Sequence, residues 1–297
     1  MFNSHFICAF PFIPIENNKI DEASFGRIID SLKAVEMPFI CAGATDGSIV
    51  RLTIDERVRL IELIREHAPD SELMVDVSSF RADDILLLAK EAVNNDANAL
   101  MLSPMSFETL QDDECIHLFE NLNSKFNMPV CVNGNNYSGI RFSDKLYQKL
   151  SAVSAVKSIC LPNISQAPND ALNQIKELKD SLPSKITIGF SDDTAACNAL
   201  ISGCELWYSA LAGVLPKTCI KIALSAVTGN QSSAMGQFCQ LSAIMEIMKK
   251  NGSSKTIAAL LRLRGIIDHN CLPEPLRELN EADNEMLKAI VSTFNFE

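Results

Sequence analysis

Residues 154–161 read SAVKSICL, which is the composition of a short strand buried on both faces. Small, β-branched and apolar residues fill this stretch apart from Lys157, and Pro162 with Asn163 closes it. A strand covered on both faces offers no water to an ammonium group. Lys157 must therefore pair with a carboxylate, extend to a strand end, or stay a neutral amine of lowered pKa.

A neutral, desolvated lysine is a nucleophile, because only the unprotonated amine attacks a ketone to form a Schiff base. The competing interpretation is a structural lysine whose ammonium reaches water at the end of the strand. The stretch by itself leaves both interpretations open.

The charge balance of the chain argues against two classes of partner. The 297 residues contain 26 basic and 37 acidic side chains, a net charge of −11, and 47% of them are hydrophobic. No basic run interrupts the sequence, so neither nucleic acid nor an anionic membrane is the expected main partner. The hydrophobic share is ample for a large core.

Ten cysteines are dispersed along the chain, and several lie in apolar runs, such as Cys41, Cys131 and Cys160. No CxxC or Cys/His metal spacing occurs, and the four histidines are scattered. We therefore expect free, buried cysteines, a cytoplasmic location, and neither a metal nor another cofactor. The N-terminal apolar run lacks a basic flank and is cut by Pro11 and Pro14, which predicts neither a signal peptide nor a membrane span.

Short apolar runs alternate with amphipathic segments over most of the chain. The predicted strands cover residues 6–12, 38–42, 73–77, 99–102, 129–133, 154–161, 186–190 and 206–209, and each precedes a segment of helical period. Eight such units predict an α/β fold, a closed (β/α)8 TIM barrel, and no GxGxxG follows the first strand. We expect Lys157 near the carboxyl-terminal half of the sixth strand, where barrel active sites lie.

The residues after the last barrel helix contain no strand signal. Amphipathic segments at 235–249, 256–263 and 281–294 predict a C-terminal helical extension, with a hinge at 251–254. We therefore expect residues 1–228 to form the barrel and residues 229–297 a three-helix appendage packed on it, as a single structural unit.

Several ordered landmarks resemble the dihydrodipicolinate synthase and N-acetylneuraminate lyase family of Schiff-base barrels over nearly the whole chain. They are AFPF at 9–12 followed by NKID at 18–21, GATDGS at 43–48, LTIDER at 52–57, Lys157, SDD at 191–193, and the stretch from Gly203 to Ser209. The resemblance implies that Lys157 is the Schiff-base lysine and that the loop after the second strand binds a keto-acid carboxylate. The set as a whole is more specific than any single motif.

The resemblance also assigns the other candidate residues. Backbone amides and a hydroxyl suit a carboxylate, so Gly43, Ala44 and Thr45 are predicted to bind it, with a tight strand-to-helix turn as the alternative. Asp192 and Asp193 are candidates for substrate hydroxyls, although Ser-Asp-Asp is also a good helix start. The remaining candidate, at the end of the last strand, is Ser209, which either binds substrate or satisfies the barrel rim.

The chain departs from the family pattern at the proton relay. Asn133 stands where active members have a tyrosine, and an amide cannot shuttle protons by ionising. Tyr137 lies nearest the position of the family's substrate-binding arginine and is the candidate substitute relay, with an exposed loop tyrosine as the alternative. Residues 103–107 lack the paired tyrosines of the synthases, and Asp46 adds an anion to the carboxylate loop.

The sequence leaves three functions open, the third of which is a pure scaffold or interaction protein. The first is a Schiff-base lyase or aldolase in which Lys157 and Tyr137 act on pyruvate or another 2-keto acid or aldehyde, with Asn133 among the binding residues. The second is a catalytically impaired barrel that binds a keto acid or serves a regulatory or binding role. The resemblance implies a homodimer or homotetramer. Dihydrodipicolinate synthesis itself is not expected without the tyrosine relay.

Overall fold

The computed structural model describes residue 2 and residues 6–43, 48–134 and 140–293. Its strands are β1 (Ile7–Ala9), β2 (Ile15–Glu16), β3 (Lys19–Ile20), β4 (Phe39–Ala42), β5 (Glu72–Asp76), β6 (Ala99–Leu102), β7 (Val130–Asn133), β8 (Val156–Leu161), β9 (Thr187–Phe190) and β10 (Leu206–Ser209). Eight of them close into a parallel barrel in the order β1, β10, β9, β8, β7, β6, β5 and β4. The predicted (β/α)8 barrel is confirmed.

The helices that cover the barrel alternate with its strands. They are α1 (Glu22–Lys33), α2 (Ile54–His67), α3 (Ala82–Asn94), α4 (Asp112–Lys125), α5 (Asp144–Ser151), α6 (Pro168–Ser181), α7 (Ala196–Ile201) and α8 (Pro216–Val227). The barrel strands are buried almost throughout, because helices cover the outer face and side chains fill the interior.

Two predicted helix starts are set by their caps. The Asp21 carboxylate accepts from Ser24 N at 3.0 Å and begins α1. Thr53 and Glu56 exchange side-chain and backbone hydrogen bonds at the start of α2, with Thr53 N donating to Glu56 Oε2 at 2.8 Å. Such reciprocal caps satisfy amides that the first turn leaves without partners.

The C-terminal extension contains one helix more than the sequence predicts. It consists of α9 (Gln231–Gln240), α10 (Ser242–Asn251), α11 (Ser253–Leu263) and α12 (Glu281–Thr293). The single helix predicted over 235–249 is wrong, because Leu241 N bonds to Phe238 O in a tighter turn that separates α9 from α10. A break between helices lies within the predicted hinge, at Gly252, whose φ of +90° ends α10.

A continuous apolar core joins the barrel to this extension, with Ile244, Ile247 and Leu261 buried alongside the barrel residues. No helix in the described ranges is both long enough and apolar enough to cross a membrane.

Candidate active site at the carboxyl end of the barrel

The contacts of Tyr208 show which side chains face the barrel interior. Its Oη lies 2.8 Å from Ser158 Oγ and 3.2 Å from Cys131 Sγ. These residues belong to β10, β8 and β7, and β9 and β8 stand between β10 and β7 in the barrel. Side chains from non-neighbouring strands meet only inside the barrel, so Tyr208, Ser158 and Cys131 all point inward.

Successive side chains of a strand point to opposite faces, so the inward residues next along β7 and β8 are Asn133 and Cys160. The two are register partners at the carboxyl ends of their strands, and Asn133 is half-buried. Cys160 is fully buried, and burial raises the pKa of its thiol well above the usual value, while a hydrogen bond with the Ser191 side chain opposes the shift. At neutral pH Cys160 is a neutral thiol and not a thiolate.

Lys157 lies at the other end of the same strand, and the prediction that placed it near the carboxyl end is wrong. It is the second residue of β8, and because Ser158 points inward, Lys157 points toward the helices. Its Nζ donates to Ser154 O at 2.7 Å, just before the strand begins. The structure therefore agrees with a lysine that extends to a strand end, the alternative that the sequence left open.

Gly43 lies where β4 leaves the barrel, and its φ of +95° is a conformation that side chains with a Cβ rarely adopt. A Cβ built on Gly43 would lie 4.0 Å from Asp76 Cβ, so Gly43 and the end of β5 adjoin. Ala44, Thr45 and Tyr137, three of the predicted site residues, lie outside the described residues, as does Asp46.

Asp193 and Ser209 hold the fold together at this end. Asp193 is buried; its Oδ1 accepts from Trp207 Nε1 at 2.8 Å and its Oδ2 from Leu211 N at 2.9 Å. Ser209 is buried, and its Oγ accepts from Ala212 N at 2.9 Å. Ser209 follows the inward Tyr208, so its side chain faces away from the interior. The hydrogen bonds of both side chains are made with the protein itself.

Asp192 caps the short 3₁₀ turn Asp193–Ala195. Its Oδ1 accepts from Thr194 N at 2.9 Å and from Thr194 Oγ1 at 2.7 Å. The helix-start alternative raised by the sequence therefore describes Asp192 correctly. Its predicted role toward substrate stays a prediction.

Asp76, at the end of β5, is a site candidate that the sequence interpretation missed. It is buried, and its Oδ1 accepts from Ser78 N at 2.8 Å and from Ser78 Oγ at 2.5 Å. Burial raises the pKa of the Asp76 carboxyl despite Arg57 and Ser78, which lower it. The signal was present in the sequence, because Asp76 is a charged residue inside an apolar strand, as Lys157 is.

Strand alternation, continued one residue past β4, β6 and β9, assigns six residues to the inner side at the carboxyl end of the barrel, and we call this set the mouth: Gly43, Asp76, Ser103, Asn133, Cys160 and Ser191. It offers a carboxyl, an amide, two hydroxyls and a thiol, and none of the six carries an amine or another basic group. In the described part of the chain, no three His, Cys, Asp or Glu side chains form a group suited to a metal ion.

Comparison with known proteins gives one consistent result. The model of the dihydrodipicolinate synthetase family matches residues 5–294. A 4-hydroxy-tetrahydrodipicolinate synthase of Thermosipho melanesiensis is 23% identical over 279 residues, covering 94% of each chain. The crystal structure of a dihydrodipicolinate synthase from Agrobacterium tumefaciens superposes with a TM-score of 0.91 at 25% identity, covering 98% of this chain and 99% of that one. A dihydrodipicolinate synthase from Thermotoga maritima, at 17% identity and a TM-score of 0.86, shares the fold.

Proposed function

The chain belongs to the dihydrodipicolinate synthetase family, and we propose that within it this barrel binds a small polar molecule at its mouth without forming a Schiff base through Lys157. One observation carries the proposal. Lys157 Nζ is hydrogen-bonded to Ser154 O at the amino end of β8, while the mouth lies at the carboxyl end.

Schiff-base chemistry needs an amine within bonding distance of the substrate ketone. The mouth residues supply none, and the sequences of the two neighbouring connections, residues 44–53 and 134–143, contain no lysine. Cys160 faces the mouth from the strand that carries Lys157, but a buried neutral thiol is a poor nucleophile. This set of groups suits binding by hydrogen bonds better than covalent catalysis.

A Schiff-base lyase acting on pyruvate or another 2-keto acid is the competing function. Family membership favours it, since the curated relatives are named as synthases. The lyase function requires the Lys157 side chain to point into the barrel instead of toward the helices, or the side chain of a different lysine to reach the barrel interior. It also requires a proton relay, for which Tyr137 is the candidate because Asn133 cannot ionise.

Reductive trapping separates the two functions. We would incubate the protein with pyruvate and a panel of 2-keto acids in the presence of borohydride and measure intact mass, with Lys157→Ala as the matched control. The proposal predicts no keto-acid adduct on either protein. An adduct on the natural sequence that disappears in Lys157→Ala would overturn it and establish the lyase.

We also propose a homo-oligomer, either a dimer or a tetramer. Phe80 and Phe107 stack with ring centroids 4.8 Å apart, and Phe107 is 94% exposed. An exposed aromatic pair on loops near the mouth is suited to an interface with a second copy. Sedimentation analysis should give a mass of two or four chains, and Phe107→Ser should shift it toward the monomer; a monomeric natural protein would contradict the proposal.

The cysteines are all free, and nine of the ten are buried. This supports the proposal of a reducing compartment, such as the cytoplasm. Localisation of a tagged full-length chain tests it.

A further inference from the structure

Two sulfur atoms touch on the outside of the barrel, where α7 contacts α9 of the C-terminal extension. Cys197 of α7 is 1% exposed, and its Sγ donates to Met235 Sδ of α9 at 3.2 Å. Met235 is 42% exposed, so the contact reaches from a buried thiol to the protein surface. Neither residue belongs to the mouth, and the proposed function uses neither.

The packing of α9 places a second thiol on the same side of that helix. Ala234 is buried against the core, and Gln237 Nε2 donates to Ser225 Oγ of α8 at 3.2 Å, so these two residues face the core and α8. Met235 faces α7 instead. Side chains four residues apart lie on the same face of an α-helix, so Cys239, four residues after Met235, also lies on the side of α7.

The two thiols are close enough to interact electrostatically. Burial, and after it the proximity of the Cys239 thiol, raise the pKa of the Cys197 thiol to about 11. At neutral pH Cys197 is therefore a protonated thiol. Cys239 is the one exposed cysteine of the ten, so a solute can reach this group of sulfur atoms from the surface.

The ligand types indicate which ion suits the group. Thiols and thioethers are soft ligands, and copper(I) prefers soft sulfur ligands and accepts low coordination numbers. Structural zinc sites take four ligands from cysteine and histidine. Among the described residues no three His, Cys, Asp or Glu side chains form a group suited to a metal ion, so the thiols here lack the partners that zinc requires.

We propose that Cys197, Met235 and Cys239 bind one copper(I) ion between α7 and α9. Each thiol loses its proton as it coordinates the ion, and Met235 binds as a neutral thioether, so two protons are released for each ion bound. The two sulfur atoms now in contact must separate to admit the ion, and rotation of the flexible Met235 side chain allows this. The bound ion links the barrel to the C-terminal extension.

No metal was expected from the spacing of cysteines and histidines in the sequence. Ligands that lie on two helices distant in sequence leave no such spacing, and a methionine ligand is not part of those patterns. The copper site is independent of the proposed function, because it shares no residue with the mouth.

A competition titration tests the site. Copper(I) is added anaerobically to the reduced protein together with a chromophoric copper(I) chelator. The natural protein should withdraw one copper ion per chain, and its melting temperature should rise, because an ion that binds only the folded chain stabilises it. Binding should tighten between about pH 6 and pH 8, because the thiols must release protons. Zinc(II) should not produce the same rise in melting temperature.

Single substitutions test each ligand. Replacing a residue that only supports a metal ligand costs about 10–100-fold in metal affinity, so losing a ligand in Cys239→Ala or Cys197→Ala should cost about 100-fold or more. Met235→Leu should cost about tenfold, since a neutral thioether is the weaker ligand. The matched controls are Met286→Leu, at an exposed methionine of α12, and Cys115→Ala, at a buried thiol of α4, and both should bind copper as the natural protein does.

Three results would overturn the proposal. The first is a natural protein that withdraws no copper from the chelator. The second is undiminished binding by Cys197→Ala or Met235→Leu, which would show that the exposed Cys239 thiol binds copper alone. The third is an X-ray absorption spectrum of the copper complex with nitrogen or oxygen ligands instead of sulfur only. Circular dichroism verifies that each variant folds, and Met235→Leu and Cys239→Ala change exposed side chains that the fold tolerates.

Discussion

The two ends of strand β8 differ in what their side chains do. At the amino end, Lys157 points toward the helices and hydrogen-bonds to a backbone carbonyl. At the carboxyl end, Cys160 points into the barrel beside Asn133 and contacts Ser191. Their positions in the sequence differ by three, and an odd difference along a strand places two side chains on opposite faces. The chemistry of a barrel strand therefore depends on both position and face.

The comparison predicts that substitutions at the carboxyl end cost more than substitution of Lys157. The largest effect is expected at Asp193, because Asp193→Ala removes the acceptor of two buried donors, Trp207 Nε1 and Leu211 N. Unfolding free energy should fall by about 2–5 kcal/mol, measured by urea denaturation. Asp192→Ala removes a cap and should cost about 1 kcal/mol. Equal costs at the two positions would contradict the roles assigned to them.

A smaller effect is expected at Gly134, which follows β7. A Cβ there would overlap Tyr147 Oη, a buried hydroxyl that has no hydrogen-bond partner among the described residues. Gly134→Ala should lower the unfolding free energy by about 1–3 kcal/mol. Tyr147→Phe removes that hydroxyl, so the double variant should recover part of the loss in a double-mutant cycle, while Cys160 O and Pro162 Cδ, each 3.1 Å from the built Cβ, remain in place. Additive losses would show that the hydroxyl is not the obstacle.

The difference in stability between the natural protein and Asp76→Asn should depend on pH. The pKa of Asp76 is raised above the usual 3.8 by burial, so the unfolded chain releases this proton at lower pH than the folded chain does. Stability is therefore lost as pH rises from about 4 through the folded-state pKa. Asp76→Asn escapes this loss, so its melting temperature relative to the natural protein should be higher at pH 8 than at pH 4. A melting temperature of Asp76→Asn relative to the natural protein that falls between pH 4 and pH 8 would contradict the direction of the pKa shift.

The smallest effect is expected at Lys157. A half-buried strand-end lysine with one hydrogen bond to a carbonyl contributes little, so Lys157→Ala should change the unfolding free energy by about 0.5 kcal/mol. Binding at the mouth should be unchanged in calorimetry. A loss of ligand binding in this variant would place Lys157 in the site after all.

The sequence predicted the barrel because strand–helix alternation is a local pattern repeated eight times, and caps such as Thr53 mark helix starts. It did not predict which face of β8 is inward, because residues 156–161 are apolar on both faces apart from Lys157 and the small polar Ser158. When both faces of a strand are buried, apolar and polar residues do not alternate, and the sequence does not indicate which face points inward. The wrong prediction for Lys157 follows directly from this.

The sequence predicted which residues of the candidate site lie at strand ends, but not which side chains they contact. Gly43 and Asn133 were placed at strand ends correctly, since each strand's end is marked in the sequence. For Asp193 and Ser209 the sequence left a substrate role and a structural role open, and the partners that fill the structural role, Trp207, Leu211 and Ala212, are identified only by tertiary structure. Asp76 was overlooked although a carboxylate in an apolar strand is as unusual as a lysine.

The central claim is that residue 160 of β8 faces the mouth and residue 157 does not. Transferring the lysine from position 157 to position 160 tests this claim most directly. Intact mass after pyruvate and borohydride would be measured for the natural protein and for Lys157→Ala combined with Cys160→Lys. The account predicts no adduct on the natural protein and a pyruvate adduct on the double variant. An adduct on the natural protein that peptide mapping assigns to Lys157 would contradict it.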